Sequence, residues 1–239
     1  MTDREEVKPT ANERMELHVE ALFTHDQNGR LLAINEPWPG AAAAPRFFLG
    51  RSIEGTTLCR FRYDVPETLV AQIESLCADE PINGDIRTKP NDFNAYMDLL
   101  QGERFTMGPC YIIPSDAKPN MQVVSITREN IAAYRLDGFE WLTEEIEFVQ
   151  PCIALVRESR VVSICRSVRI TPRAHEAGLE TLHAFRGRGY AAAVVAGWAM
   201  AVRKRGRIPL YSTSRENLAS QKVASKLNLV FYGANFIVI

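Results

Sequence analysis

No CxxC pair occurs in the 239 residues, and the five cysteines, Cys59, Cys77, Cys110, Cys152 and Cys165, are odd in number and widely spaced. A disulfide framework and a zinc site are therefore not expected, and a reducing cytosol is the natural compartment. An excess of charge of one sign is also missing. The formal net charge is −1, so a general electrostatic grip on nucleic acid or on an acidic membrane is not expected. The opening residues MTDREEVKPTANER lack the apolar run of a signal peptide, and no later stretch is long and apolar enough to span a bilayer. A cytoplasmic protein with neither nucleic-acid nor membrane partners is expected. HExxH, GxSxG and GK[ST] are absent, as are internal repeats and low-complexity tracts.

What is present is ordinary for a folded chain: 46% hydrophobic and 24% charged residues, enough for a real core. Residues 1–14 read as a flexible tail. Residues 15–103 read as a small α+β region of unknown role. It has a hairpin pairing Leu17–Thr24 with Arg30–Asn35 across DQNGR, a strand in PRFFLGRS, a helix in VPETLVAQIESLCAD, a loop over PINGDIRTKPND and a short helix in NDFNAYMDLLQG. From Arg104 the pattern changes. FTMGPCYIIP and MQVVSIT read as strands, RENIAAYRL and EWLTEEIEFV as helices, and PCIALVRESRVVSICRSVRI as two strands around a polar turn. HEAGLETLHAF leads into FRGRGYA and a helix to about Arg205; RIPLYSTS reads as a strand, ENLASQKVASKLNL as a helix and VFYGANFIVI as strand.

FRGRGYA carries the sharpest chemistry. A helix N-terminus presents unpaired amides and the positive end of the macrodipole, and glycines let an anion approach the backbone closely. Gly187 and Gly189 at such a junction, with Arg186 and Arg188 adding charge, suit a phosphate. The plain alternative is a turn that needs glycine for geometry alone. The spacing is not the dinucleotide fingerprint, because Ala192 stands where a third glycine would fall.

Arg186-Gly187-Arg188-Gly189-Tyr190-Ala191 resembles the Arg/Gln-x-x-Gly-x-Gly/Ala motif of the GCN5-related N-acetyltransferases (GNAT). The resemblance extends upstream through EAGLETLHAF and downstream through LYSTSRENLASQKVASKLNLVFYG, covering about residues 145–239. It implies an α/β (α+β) fold over 104–239, with a mixed, largely antiparallel central sheet flanked by helices. It also implies acetyl-CoA as co-substrate and no metal. Glu180, Thr181 and Leu182 would line the pantetheine arm, Arg186 to Ala191 would cradle the pyrophosphate, and Asn217 and Ser220 would approach the arm from the other side. The implied activity is transfer of an acetyl group to an amine by direct attack in a ternary complex.

Such a reaction needs a base for the amine and an acid for the thiolate. Glu176 is the first base candidate and Glu180 the second; His175 and His183 are alternatives by intrinsic pKa. The family's usual tyrosine, seven residues after the asparagine, is replaced by Ala224, which leaves Tyr211 or Tyr232 as acid. A glycine expected before the last strand is replaced by Asn228, which tolerates a left-handed helix end. A different acyl-CoA or an acceptor oxygen, a CoA-binding module without turnover, and a purely structural turn are the rival readings. The acceptor, a small molecule or a peptide amine, is not specified, and a homodimer is compatible with the sequence.

Overall fold

The structure, a computed structural model, describes residues 9–40, 42–80 and 88–239. In chain order, helix α1 (Ala11–Leu22) leads to a two-stranded hairpin, β1 (Phe23–His25) and β2 (Leu31–Ile34). Next come β3 (Phe47–Ser52), β4 (Thr57–Phe61), α2 (Glu67–Cys77), α3 (Phe93–Leu99), β5 (Phe105–Ile112), β6 (Val124–Ile126) and the single turn of α4 (Leu142–Glu145). The chain finishes with β7 (Cys152–Arg157), β8 (Arg160–Ile170), β9 (Ala174–Thr181), α5 (Tyr190–Lys204), β10 (Ile208–Ser212), α6 (Leu218–Lys226) and β11 (Val230–Val238).

Nine strands form one sheet in the order β4-β3-β11-β5-β10-β9-β8-β7-β6. All pairs are antiparallel except β9 with β10. The expected mixed, largely antiparallel α+β sheet flanked by helices is therefore present. Alternation divides it into two faces. On one, Tyr211, Leu179 and Cys165 pack beneath α5, with α6 alongside, while Phe47, Leu49 and Phe236 pack beneath α2 and α3. On the other, Cys110, Phe48 and Tyr232 pack beneath α1, and Cys152, Ala154 and Ile164 beneath the segment that holds α4.

Several expectations need correction. Leu17–Leu22 is helix, not strand, and only Phe23–His25 pairs in the hairpin. The alternation of Met15, Leu17, Val19 and Ala21 arises because α1 lies over two clusters at once. Met15 and Val19 meet β3, β5 and β11 residues, while Leu17 and Ala21 meet Ala174 and Leu210. Ala11–Arg14 is the first turn of this helix rather than tail, started by a reciprocal cap between Thr10 and Glu13. The rest of that expected tail, residues 1–8, lies outside the described residues, as does 81–87 of the expected loop.

The helices expected in RENIAAYRL and EWLTEEIEFV shrink to a 3-10 turn at Ile131–Ala133 and to α4. Asn130 Oδ1 accepts the Thr127 amide at 2.9 Å and so competes with a helical start. Pro151 disfavours helix in the residue before it. The change of pattern at Arg104 marks the entry to β5, and the sheet itself runs across it: β3 and β4 extend beyond β11.

Helix α1 sits close to the sheet because two glycines lie beneath Met15. A Cβ on Gly50 would meet Met15 Cγ at 2.5 Å, and one on Gly233 would meet the Arg51 carbonyl oxygen at 2.5 Å. A thioether can swing aside, whereas a strand carbonyl cannot. Gly233→Ala is expected to destabilise by about 1–3 kcal/mol, and Gly50→Ala by less. Thermal denaturation of the two variants would check the order, and a Gly50→Ala cost equal to or above that of Gly233→Ala would contradict it.

Candidate functional site

The ladder between β9 and β10 pairs Ala174 with Ile208, His175 with Pro209 and Glu176 with Leu210, and then stops. Strand β9 nevertheless continues to Thr181 and β10 to Ser212. The two part because each follows its other neighbour. Beyond Ser212 the chain turns onto β5, where the Thr213 amide donates to Pro109 at 3.3 Å and the Arg215 amide to Met107 at 2.9 Å. The Thr213 carbonyl oxygen comes within 1.8 Å of where a Cβ on Gly108 would stand, so only glycine fits there. Strand β9 stays with β8, whose register shifts between Ser167 and Arg169, and Val168 lies over Gly178 where a Cβ would be 2.1 Å from Cγ1.

Glu176 occupies the fork. In a continued parallel ladder, Ser212 would come next opposite Gly178. Its amide instead donates to Glu176 Oε1 at 2.5 Å, so a side-chain carboxylate replaces a backbone acceptor where the strands open. Glu176 is only 3% exposed. Its Oε2 lies 3.5 Å from Nδ1 of His18 on α1, and the Asn235 amide lies 3.0 Å from Nε2 of the same ring. Burial lowers the His18 pKa, but Cys110 and then Glu176 outweigh that and hold it well above the usual imidazole range, at about 10.

Strand β9 carries the other arm-lining candidates away from the fork. Glu180 is exposed at the far end. The hydroxyl of Thr181 lies 2.7 Å from that of Ser163, and the Leu182 amide donates to Val162 at 3.0 Å. His183 is exposed beyond them. His175 points to the opposite face from Glu176, where Nδ1 lies 2.8 Å from Ser167 Oγ, which in turn accepts from Trp198 Nε1 at 3.1 Å.

The chain then enters α5 through the glycine pair. Gly187 and Gly189 have φ of 77° and 81°, the left-handed region open to glycine. Among the described residues, the Arg186 amide donates to His183 and the Ala193 amide to Gly189, and the amides of residues 187–192 between them have no backbone acceptor. They form the free N-terminus of a 15-residue helix. A Cβ on Gly187 would meet nothing within 4 Å, and one on Gly189 would lie 3.2 Å from Lys226 Nζ. Arg186 and Arg188 are exposed, bonded to the Thr181 and Ala184 carbonyls. Arg157 donates to the Tyr190 hydroxyl at 3.2 Å, and Ala191 follows half-buried. Lys226 also lines a concavity of about 360 Å³ with Asp116, Lys118 and Asn228, which no residue of the loop itself enters. The loop therefore suits a diphosphate: amide donors, cations and an open approach at Gly187, with Met121 Cε beside Gly189.

From β10 and α6 come the remaining candidates. Asn217 caps α6 by accepting the Ser220 amide at 3.1 Å. The Tyr211 hydroxyl donates to the Ser220 carbonyl at 3.2 Å and lies 2.5 Å from its Oγ. Burial pushes this phenol well above its ordinary pKa, the Ser220 bond only partly opposing it. Ala224, at the position of the missing tyrosine, is buried in the cluster that holds Tyr211. Tyr232 is buried on the α1 face, away from Tyr211. Asn228 ends α6 at φ 50°, the left-handed conformation that its side chain tolerates.

The fold thus brings Glu176 to the fork, and Tyr211 and Ser220 to the α5 and α6 face beside it. It sets Glu180 at the strand's far end and turns His175 away. Sequence reasoning missed His18, Ser212, Asn235 and Lys226. The Ser212 contribution is a backbone amide, and His18 comes from the opposite end of the chain, so no local motif signals either. Among the described residues no group of three potential ligands could hold a metal ion, and no helix is long and apolar enough to cross a membrane.

Comparison with known proteins matches part of this chain to a family model. Residues 152–234, in the C-terminal part of the chain, fit the family model described as GNAT acetyltransferase. Similar solved structures include a GCN5-related N-acetyltransferase-like protein from Streptococcus suis, 16% identical, with a TM-score of 0.45 over 82% of this chain and 85% of that one. An acetyltransferase of the GNAT family from Colwellia psychrerythraea is 15% identical, with a TM-score of 0.44 over 61% of this chain and 62% of that one, so under two thirds of its length is spanned. The yncA structure from Salmonella typhimurium, solved with its cofactor acetyl-CoA, is 11% identical, with a TM-score of 0.36 over 50% of this chain and 94% of that one. With TM-scores below 0.5, these likenesses carry no weight beyond the family match. No curated protein matches the chain.

His175 supplies a pH test of the site's far face. Burial, with Arg205 and Arg207 adding to it, lowers its pKa from 6.5 to about 4. Between those values the unfolded chain binds a proton that the native chain does not, so stability rises with pH across that window. The contribution is complete above about 6.5 and is lost as pH falls toward about 4. The melting temperature of the native protein is expected to fall more steeply over this range than that of His175→Asn. Parallel curves would count against it.

Proposed function

We propose that the protein transfers an acetyl group from acetyl-CoA to an amine by direct attack in a ternary complex. One observation carries the reading: the parallel ladder opens just past Glu176, beside a helix N-terminus whose amides from 187 to 192 are free. An opened ladder leaves room for a linear arm, and free amides suit a diphosphate.

In this reading acetyl-CoA supplies the acetyl group and a thiolate leaving group. Residues 186–191, with the Ala192 amide and Lys226, hold the pyrophosphate. Glu180, Thr181 and Leu182 line the arm from β9, and Asn217 and Ser220 from α6. Glu176 accepts the proton that the ammonium of the acceptor must lose, with Glu180 as the second candidate through water. As the amine nitrogen bonds to the carbonyl carbon and the carbon–sulfur bond breaks, Tyr211 protonates the sulfur, recharged through Ser220. Glu176 and Tyr211 lie on opposite faces of the sheet, which suits an acceptor and a coenzyme arriving from opposite sides. Residues 104–239 would form the acetyltransferase domain, and 15–103 would shape the acceptor side, where a small-molecule or peptide amine binds. The protein would be cytoplasmic, with neither nucleic acid nor membrane as partner; a homodimer fits as well as a monomer. A coenzyme-binding module without turnover is the second reading, favoured by the buried Ala224 where a tyrosine would be expected.

Calorimetric titration with acetyl-CoA is expected to give binding to the native protein. Gly189→Glu should weaken it at least about 100-fold, the equivalent of losing two charge-assisted hydrogen bonds. Gly189→Ala carries the same backbone strain without the charge and should retain most of the affinity. A folded native protein that does not bind acetyl-CoA overturns the proposal.

Glu176→Gln keeps an acceptor for the Ser212 amide but cannot take a proton. Its kcat is expected to fall about 10²–10⁴-fold with the KM for acetyl-CoA little changed. Binding without turnover in the native protein would select the second reading.

A further inference from the structure

The family match begins at residue 152, yet the fork at Glu176 is completed by a residue far upstream of it. His18 projects from α1 into the space between β9, β5 and β11, and is 0% exposed. Nδ1 lies 3.5 Å from Glu176 Oε2, within ion-pair distance, and both atoms are buried with no hydrogen bond to any other group. Nε2 lies 3.0 Å from the Asn235 side-chain amide on β11, which fixes the ring about its own axis. The second carboxylate oxygen is held by the Ser212 amide. The carboxylate, 3% exposed, is thus held at one oxygen by backbone and faces an imidazole with the other.

We infer that His18 is a positioning residue for Glu176, so that α1 completes the acetyl-transfer site from outside the family-matched segment. The inference rests on the acetyl-transfer reading for its catalytic part and on geometry alone for the pairing. The physical case is one of satisfaction. A buried, ionised carboxylate with one unpaired oxygen is costly, and the imidazole N–H is the donor within reach. The same N–H holds the Oε2 side of the carboxylate in place, so that the group keeps one position at the fork while it acts.

The groups recorded against the ring are Glu176 from β9, Cys110 from β5, Asn235 from β11 and Phe48 from β3, whose ring centroid is 6.1 Å away. Arg14 on the same helix acts on Tyr232. Cys110 also favours the charged imidazole, so its contribution must be separated from that of Glu176.

Two measurements on the full chain test the inference, and their failures differ. The first needs no coenzyme. Nitrogen-15 NMR of the histidine rings is expected to show His18 protonated at pH 7.5 in the native protein and in Cys110→Ser, with its titration midpoint lowered in Glu176→Gln. An unchanged midpoint in Glu176→Gln overturns the pairing. Should that variant not fold, an exchange-protected Nδ1 proton in the native protein decides instead, and its absence overturns the pairing.

The second measurement is kinetic. His18→Gln removes the donor at the Nδ1 position, and its kcat is expected to fall at least about tenfold with the KM for acetyl-CoA unchanged. His18→Asn places an N–H near that position and should recover most of the loss. A His18→Gln enzyme with native kcat, or equal losses in both variants, overturns the positioning role. A native protein that neither binds nor turns over acetyl-CoA sinks the function reading, while the NMR result still decides whether His18 and Glu176 form one unit.

Discussion

The site depends on one hydrogen bond, from the Ser212 amide to the Glu176 carboxylate. A parallel ladder that ends in mid-sheet leaves buried amides and carbonyls without partners, and each would carry a desolvation cost. Glu176 meets that need at the first open rung. The side chain therefore has two obligations: it satisfies the backbone at the fork with one oxygen and faces His18 with the other. Strand β10 can leave β9 because Gly108 admits the Thr213 carbonyl oxygen onto β5, and β9 remains with β8 through the bulge that seats Val168 over Gly178. Loss of either glycine would remove the conditions under which the carboxylate is needed.

The two faces of the sheet hold different chemistry for a related reason. Helix α5 follows β9 through a 3-10 turn at His183–Phe185 and the glycine pair, and its first amides have no backbone acceptor. The face beneath it is filled by Trp198, Tyr190, Val194 and Tyr211, a dry wall that also keeps Tyr211 protonated. The opposite face carries the buried polar cluster of His18, Glu176 and Asn235 under α1. The Asn235 bond to His18 and the 3.5 Å approach of His18 to Glu176 tie α1 to β11 and β9 at once.

Much of the C-terminal part was legible because its signals are local. The glycine pair, the small-residue helix after it and the cap at Asn217 each lie within a few residues of the structure they specify, and α5, α6 and β7 to β11 appear where the pattern puts them. Glu176 was also reachable, since its position on β9 follows from counting back along a strand. The N-terminal region was harder. Helix α1 imitates strand alternation because it is buried on two sides, and that burial depends on partners more than a hundred residues away. The short segments near Asn130 and Glu145 carry helical periodicity, but a side chain that caps a turn, or a following proline, outweighs propensity there. The role of His18 left no trace in the local sequence, since nothing around it differs from a helix with one buried polar residue.

Strand β11 pairs with β3 on one edge and β5 on the other, so it bridges segments drawn from distant parts of the chain. Its contact order is correspondingly high, and such closures are slow because loop entropy is spent before the contacts form. Until β11 enters, β3 and β4 have no edge on which to join the rest of the sheet, and Asn235 cannot reach His18. The polar cluster that orients Glu176 is therefore assembled by the same event that unites the two halves of the sheet. Chains halted short of that event would hold a formed α5 with an unset fork.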